Sequence, residues 1–164
     1  MLIKQITLSN FRQYREKQVV EFSCDKEKNV TVILGDNTSG KTTLIQAFNW
    51  CLYGETSFKT KDLINSEALQ EMDIMLSKEV SVEIELIHED KLYVIRRTQK
   101  VTKNVPGRAP TCLIPVLKVE YKEPNGEMQE VSSLQCQSTI NKVLPEALSG
   151  YFFFDGEHIS DINN

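Results

Sequence analysis

The sequence predicts an α/β fold in which antiparallel β-hairpins flank a central sheet and a helix that follows a glycine-rich loop. Two observations predict it. Apolar and polar residues alternate over most of residues 79–100, which is typical of a half-buried β-hairpin. The run GDNTSGKTT, residues 35–43, lies between a strand-like and a helix-like run, as a phosphate-binding loop requires. A chain of 164 residues with 40% hydrophobic residues can bury one core, so we expect a single domain over residues 1–164.

The first third of the chain is predicted to hold three strands and one helix. LIKQITL alternates as a strand, and QVVEF is its expected hairpin partner. NVTVIL, residues 29–34, is expected to be the strand that leads into the glycine-rich loop. A helix is expected from about Lys41 to Tyr53, with Gly54 as its C-terminal stop.

The rest of the chain is predicted to be mainly hairpins. The first turns at HEDK, residues 88–91, and an exposed loop rich in proline and glycine follows it. A second hairpin turns at Pro124-Asn125-Gly126, which contains the Asn-Gly turn signal. A short helix near Thr139 to Leu144 and a strand at GYFFF, residues 150–154, complete the prediction.

Composition favours a protein without a membrane segment. The longest apolar runs are far shorter than the roughly 18 residues that span a bilayer, and the N-terminus carries polar residues where a secretory leader is apolar. We therefore expect a cytoplasmic protein with no membrane contact. The four cysteines form no CxxC pair, so neither a zinc site nor a disulfide framework is indicated.

The charge is unevenly distributed. A net charge of −4 argues against a generally basic, nucleic-acid-binding surface. Residues 96–122, however, hold seven basic side chains and one acidic one. This basic segment has two open interpretations, a solvated face and a DNA contact.

The strongest motif is the phosphate-binding loop. Gly35, Gly40, Lys41 and Thr42 satisfy G-x-x-x-x-G-K-[ST]. In such a loop the glycines let backbone N–H groups surround a phosphate, the lysine reaches the β and γ oxygens, and the hydroxyl ligates Mg²⁺. The sequence therefore predicts binding of ATP and Mg²⁺. Thr43 is predicted either to orient phosphate or to cap the helix.

A second candidate is YFFFDGEHI, residues 151–159. Asp155 can be interpreted as a Walker B carboxylate that holds Mg²⁺, with Glu157 polarising the attacking water. The alternative is a strand end with solvated acidic residues, because Asp-Gly-Glu is also good turn chemistry.

The order of these motifs resembles the N-terminal lobe of the SMC-like, ABC-type ATPase heads. The matching runs are IKQITLSNFRQY, GDNTSGKTTLIQAFNWCLYG, DLIN, VSVEIELIHEDKLYVIRR and FFFDGEHI. That group includes the SMC proteins, the zinc-hook double-strand-break-repair ATPases and RecF. Within it, YFFFDGE is most similar to DndD, the ATPase of DNA phosphorothioation systems, and to related anti-phage defence ATPases.

The resemblance implies further site residues. Asp155 stands where the group usually has the Gln of its Q-loop, which touches Mg²⁺ and the attacking water, so it implies a metal and catalytic role for Asp155 beside Lys41. Arg12 matches a position near the nucleotide phosphates. Asn37 fits the GxNxxGK form of the loop, and with Ser39 it completes the implied nucleotide-binding set.

The resemblance also implies partners. The sequence shows no LSGG-type signature, no second apolar run ending in Asp-Glu and no heptad segment, and in the group these parts follow a coiled coil. We therefore expect an N-terminal half that needs a C-terminal lobe and a second head, dimerised on ATP, with DNA and a nuclease or modification enzyme as further partners. Two alternatives stay open: a self-contained P-loop NTPase or kinase with Asp155 as its Walker B acid, and a nucleotide-gated binding module that does not hydrolyse ATP.

Overall fold

The computed structural model describes residues 1–36, 39–60 and 62–153. The strands in these ranges are β1 (Leu2–Phe11), β2 (Tyr14–Glu21), β3 (Ser77–His88), β4 (Lys91–Thr102), β5 (Thr111–Cys112), β6 (Val116–Lys122) and β7 (Met128–Glu130). The helices are α1 (Lys41–Tyr53), α2 (Ser66–Gln70), α3 (Cys136–Val143) and α4 (Ser149–Phe152), with a 3₁₀ turn at Glu146–Leu148. The strands form one antiparallel sheet in the order β2-β1-β3-β4-β6-β7, and β5 pairs with β4.

The long hairpin of β3 and β4 forms the middle of the sheet and confirms the predicted alternation. Val80, Val82, Ile84 and Leu86 of β3 are at most 1% exposed, so one face of the strand lies in the core. The two turn residues Glu89–Asp90 both have positive φ, +49° and +61°, as a tight hairpin turn of the primed type requires. The second predicted hairpin is also present, because β6 and β7 pair across the Pro124–Gly126 turn.

The outer face of the sheet neutralises much of its own charge. Arg96 pairs with Glu79 at 3.0 Å across the β3–β4 ladder. Lys118 lies 3.1 Å from Glu120 and 3.4 Å from Glu130. Two members of the basic segment are therefore engaged by carboxylates of neighbouring strands and are not displayed as free cations.

Helix α1 packs its buried side against the inner face of the sheet. It begins at Lys41 and ends at Tyr53 as predicted, and the N–H of Gly54, at φ +81°, donates to the carbonyl of Trp50 at 2.9 Å. Trp50 is 2% exposed, and its ring centre lies 5.4 Å from that of Phe11 at the end of β1. Leu52 is fully buried, which contributes about 1.5–3 kcal/mol, and Leu52→Ala is expected to cost about 2–5 kcal/mol because it also leaves a cavity.

Two of the predicted strands are wrong. Residues 29–34 have no regular secondary structure, and Val30, Val32 and Leu34 are 79%, 75% and 89% exposed. A strand needs a neighbour to satisfy its backbone groups, and none of the described strands pairs with residues 29–34.

The second wrong prediction is the strand at residues 150–154. Residues 149–152 form the single turn α4, closed by the N–H of Phe153 donating to the carbonyl of Ser149 at 2.8 Å. Aromatic residues oppose helix by only a few tenths of a kcal/mol each, and this turn places Phe153 in a ring stack against α1. The predicted helix near Thr139 to Leu144 is present as α3, which begins three residues earlier.

Candidate functional site

The glycine-rich loop leads directly into the first turn of α1. Gly40 adopts a left-handed conformation, φ +99° and ψ +11°, immediately before Lys41, where the helix begins. Because Gly40 has no side chain to cap the helix, the first-turn N–H groups and the positive end of the helix dipole are left facing the loop. This arrangement is suited to binding a phosphate group.

The exposed side chains at this helix end are those that a nucleotide needs. The Lys41 ammonium donates to the carbonyls of Gly35 and Asp36, at 2.6 Å and 2.7 Å, so it lies across its own loop. Anionic phosphate oxygens are stronger partners for an ammonium group than neutral carbonyls. Ser39 and Thr42 are both exposed beside it, and the Thr42 hydroxyl is an oxygen donor suited to Mg²⁺.

Close packing explains the two glycines of the motif. A Cβ at Gly35 would lie 2.5 Å from the Ser39 hydroxyl oxygen, and one at Gly40 would lie 3.3 Å from the hydroxyl oxygen of Tyr14. A side chain at Gly35 would thus collide within the loop, and one at Gly40 would press on the Tyr14 ring. These residues fit a bound phosphate, with Lys41 supplying the cation.

The Arg12 side chain, in the turn between β1 and β2, contacts the segment that follows α1. The Arg12 guanidinium donates to the Thr60 hydroxyl at 2.9 Å and to the carbonyl of Asp62 at 3.0 Å. It also lies 4.5 Å from the centre of the Phe58 ring, a cation–π contact. The described contacts therefore join Arg12 to the segment after α1, and none of them joins it to residues 35–43.

The next two residues of the same turn do contact the loop and helix. The Gln13 amide oxygen accepts a hydrogen bond from the Thr43 hydroxyl at 2.5 Å, and the Tyr14 hydroxyl donates to the carbonyl of Gly40 at 3.1 Å. Thr43 is only 3% exposed, so its hydroxyl serves Gln13 rather than capping the helix. Gln13 and Tyr14 were not predicted from the sequence, because their partners Thr43 and Gly40 lie 30 and 26 positions away. No local spacing pattern predicts such contacts.

A cavity of about 490 Å³ lies beside this turn. It is lined by Arg12 and Gln13 on one side and by residues 64–67, at the start of α2, on the other. One of its lining residues, Gln13, also accepts the hydrogen bond from Thr43 of α1. Its size is within the range of small-molecule sites.

The segment before the predicted carboxylate packs on the same helix. Phe153 stacks on Phe48 of α1 with ring centres 5.1 Å apart and planes within 12°. Asp155 follows two residues later and lies outside the described residues, as does Asn37 of the loop. Their predicted roles stay predictions.

The far end of α1 is capped by a buried arginine that the sequence placed in the basic segment. Arg97 is 8% exposed, and its guanidinium donates to the carbonyls of Cys51 at 3.0 Å and Leu52 at 3.3 Å. Burial lowers the pKa of Arg97, yet arginine stays charged in proteins, and a cation at a helix C-terminus is favourable. Gln137 of α3 donates to the same Leu52 carbonyl at 3.0 Å, so this cap joins β4, α1 and α3.

Neither a cluster of metal ligands nor a membrane-spanning helix is found among the described residues. Within residues 1–36, 39–60 and 62–153, no group of three or more His, Cys, Asp or Glu side chains could hold a metal ion. In the same part of the chain, no helix is both long enough and apolar enough to cross a bilayer.

Comparison with known proteins places this site in a family. The family model described as "AAA domain" matches residues 5–159. The chain belongs to the AAA domain family. Its α/β fold, with the glycine-rich loop before α1, is that of a P-loop ATPase domain.

This AAA domain is similar in sequence to two kinds of DNA repair protein. It is 31% identical over 109 residues to the DNA replication and repair protein RecF of Clostridium kluyveri, and the matched region covers 63% of this chain and 29% of RecF. It is 31% identical over 99 residues to the DNA double-strand break repair Rad50 ATPase of Methanococcus maripaludis, covering 59% of this chain and 9% of that protein. The matched region thus spans less than a third of either relative.

A solved structure supports the fold over the whole chain. It carries the description "Structural biochemistry of ATP-driven dimerization and DNA stimulated activation of SMC ATPases" and matches with a TM-score of 0.62. The match covers 100% of this chain and 92% of the solved one at 21% identity. The AAA domain therefore has the fold of an SMC-type ATPase head lobe.

Proposed function

We propose that this AAA domain is the ATP-binding N-terminal lobe of an SMC-like ATPase that processes DNA. The observation that carries the proposal is the open helix end behind Gly40, with the Lys41 ammonium held across the loop at 2.6 Å from a carbonyl. A phosphate entering the loop offers that ammonium an anionic partner and meets the N–H groups of the first helical turn.

The residues of the loop take distinct roles in this proposal. Lys41 binds the β and γ phosphates, Thr42 ligates Mg²⁺, and the backbone of Gly35, Ser39 and Gly40 surrounds the phosphate chain. Bound Mg²⁺ neutralises phosphate charge. Asn37 and Asp155 are proposed to add a polar contact to phosphate and a carboxylate contact to the metal. The cavity beside Arg12 receives the rest of the nucleotide.

The exposed run at residues 29–34 supports a second lobe as partner. Val30, Val32 and Leu34 expose apolar side chains next to the loop, and the main chain there has no strand partner among the described residues. If another polypeptide adds strands beside this run, its apolar side chains become buried and its main chain gains hydrogen-bond partners. We propose that this polypeptide is the C-terminal lobe of the same ATPase, and that two such heads dimerise on ATP.

The contacts of the basic segment, residues 96–122, favour DNA binding by other parts of the complete ATPase over DNA binding by this segment. Arg97 is buried, and Arg96 and Lys118 are paired with carboxylates. Of the seven basic residues, Arg97 is therefore withdrawn from phosphates, and Arg96 and Lys118 would have to exchange a carboxylate partner for a phosphate. The relation to RecF and Rad50 supports DNA as the substrate. The finer assignment to DndD-like defence ATPases, with a nuclease or modification enzyme as partner, rests on the YFFFDGE run at residues 151–157.

The first test is nucleotide binding by this chain. Isothermal titration with Mg-ATP is compared for the wild type, Lys41→Ala and Lys142→Ala, an exposed helical lysine far from the loop in sequence. We expect Lys41→Ala to abolish binding and Lys142→Ala to preserve it, because of these two lysines it is Lys41 whose ammonium lies at the open helix end. Equal affinity in the two variants refutes the site.

The second test is ATP turnover with and without duplex DNA, for this chain alone and mixed with a separately expressed C-terminal lobe. ATP turnover only in the mixture supports an N-terminal lobe that needs the C-terminal lobe for hydrolysis. Robust turnover by this chain alone, lost in Asp155→Ala, supports a self-contained NTPase instead. Tight binding without turnover in any mixture supports the nucleotide-gated binding module.

A matched pair of variants tests where the second lobe docks. Val32→Asp charges the exposed run, and Val116→Asp charges an equally apolar position, 65% exposed, at the start of β6. We expect only Val32→Asp to prevent co-purification with the C-terminal lobe. Retained binding by Val32→Asp argues against strand addition at residues 29–34.

A further inference from the structure

The carbonyl of Gly40 is held by two donors at once. The backbone N–H of Leu44 donates to it at 2.9 Å as the first hydrogen bond of α1, and the Tyr14 hydroxyl donates at 3.1 Å. A carbonyl oxygen has two lone pairs, so both are used. Burial raises the pKa of Tyr14, so the hydroxyl keeps the proton that it donates.

Fixing this carbonyl also fixes the N–H of Lys41. The peptide between Gly40 and Lys41 is planar and trans, like every described peptide of the chain, so its C=O and N–H point in opposite directions. With the carbonyl turned toward Leu44 and Tyr14, the Lys41 N–H is turned away from them, toward the glycine-rich loop. That direction is the one from which an anion approaches a helix N-terminus.

The turn that carries Tyr14 is anchored independently of the loop. Arg12 has a positive φ of +53°, its N–H donates to the carbonyl of Leu63 at 2.7 Å, and its carbonyl accepts from the Asn65 side chain at 2.5 Å. Gln13 adds its bond to Thr43 on α1. The Tyr14 ring is thus presented to Gly40 by a turn whose conformation does not depend on the loop itself.

We propose that Tyr14 is a positioning residue for phosphate binding, which acts by locking the Gly40–Lys41 peptide so that the Lys41 N–H faces the ligand. The proposal rests on the proposed function, because it concerns the same loop. Glycine has more backbone freedom than any other residue type. The Tyr14 hydroxyl restricts that freedom at Gly40, because it holds the Gly40 carbonyl.

The test compares Tyr14→Phe with Tyr53→Phe. Both tyrosines are half-buried and both donate to a main-chain carbonyl, that of Leu144 at 3.2 Å in the case of Tyr53, but only Tyr14 touches the glycine-rich loop. Each variant of the 164-residue chain is titrated with Mg-ATP by calorimetry, and the amide signal of Lys41 is followed by ¹⁵N–¹H spectroscopy. Gln13→Leu serves as a second variant, because it releases the same turn from α1.

We expect Tyr14→Phe to weaken Mg-ATP binding about fivefold, or about 1 kcal/mol at 1.4 kcal/mol per factor of ten, and to shift the Lys41 amide signal. Gln13→Leu is expected to weaken binding about twofold to threefold, and Tyr53→Phe to change neither observable. Wild-type affinity with an unmoved Lys41 signal in Tyr14→Phe overturns the inference. Failure of the wild-type chain to bind Mg-ATP overturns the proposed function instead.

Discussion

Replacing Arg97 by methionine is expected to destabilise the protein far more than the same change at its neighbour Arg96. Arg97 lies on the inner face of β4, 8% exposed, and donates to two carbonyls at the C-terminal end of α1. Arg96 lies on the outer face and forms a half-exposed ion pair with Glu79. The pair is a matched comparison, because the two arginines are adjacent in one strand and point to opposite faces.

The magnitude follows from what each change leaves behind. Arg97→Met removes the arginine donor from the Cys51 carbonyl, and a buried unsatisfied acceptor costs about 1–3 kcal/mol. It also removes a partly buried cation from a helix C-terminus, worth up to about 2 kcal/mol. The Leu52 carbonyl keeps its Gln137 donor, and the variant no longer buries a guanidinium group. We therefore expect a net loss of about 2–3 kcal/mol, against about 0–1 kcal/mol for the surface pair of Arg96.

Urea unfolding followed by far-UV circular dichroism measures both variants. At a slope of about 2 kcal/mol per molar urea, Arg97→Met should lower the midpoint by roughly 1–1.5 M and Arg96→Met by less than about 0.5 M. A midpoint for Arg97→Met equal to that of Arg96→Met, with unchanged slope, refutes the capping role.

Two further predictions concern α1. Gly40→Ala and Gly107→Ala both place a side chain at positive φ, which costs about 1–2 kcal/mol, but of the two only Gly40 has atoms within 4 Å of the added carbon. We expect both variants to unfold at lower urea concentration and only Gly40→Ala to lose Mg-ATP affinity. Equal Mg-ATP affinities in the two variants contradict a role for the contact at Gly40. Burial raises the pKa of the Cys51 thiol to about 12, above the ordinary thiol value of about 8.5. The protonated thiol then stabilises the fold fully below pH 8.5, and this part is lost as the pH rises toward 12. Cys51→Ala should flatten the fall in unfolding free energy above pH 8.5, whereas Cys112→Ala, at an exposed position, should remove much less of it.

Local patterns were sufficient for part of the fold. The β3–β4 hairpin follows from alternation over most of its length, and α1 follows from the helix-like run after the glycine-rich loop, closed by Gly54, because these signals act within a few residues. The strand predicted at residues 29–34 fails for a different reason. Its apolar residues are suited to a buried strand, but burial requires neighbours that the described residues do not supply.

The candidate site was only half predictable. Gly35, Gly40, Lys41 and Thr42 could be found because their spacing is fixed by the geometry of a phosphate. The contacts of Gln13 and Tyr14 arise from the folding of a turn onto a helix more than 25 positions away, which no local pattern encodes. Arg97 was assigned to a charged surface because charge counts do not distinguish the two faces of a strand.

The packing of Trp50 against Phe11 gives this protein a built-in optical reporter. Trp50 is the only tryptophan of the chain, it is 2% exposed, and it contacts the residue immediately before Arg12. Indole emission shifts toward the red when the ring meets water, so the emission colour records whether α1 and the end of β1 remain in contact. Any ligand that displaces the helix from the sheet can therefore be followed in real time, in dilute solution and without attaching a dye.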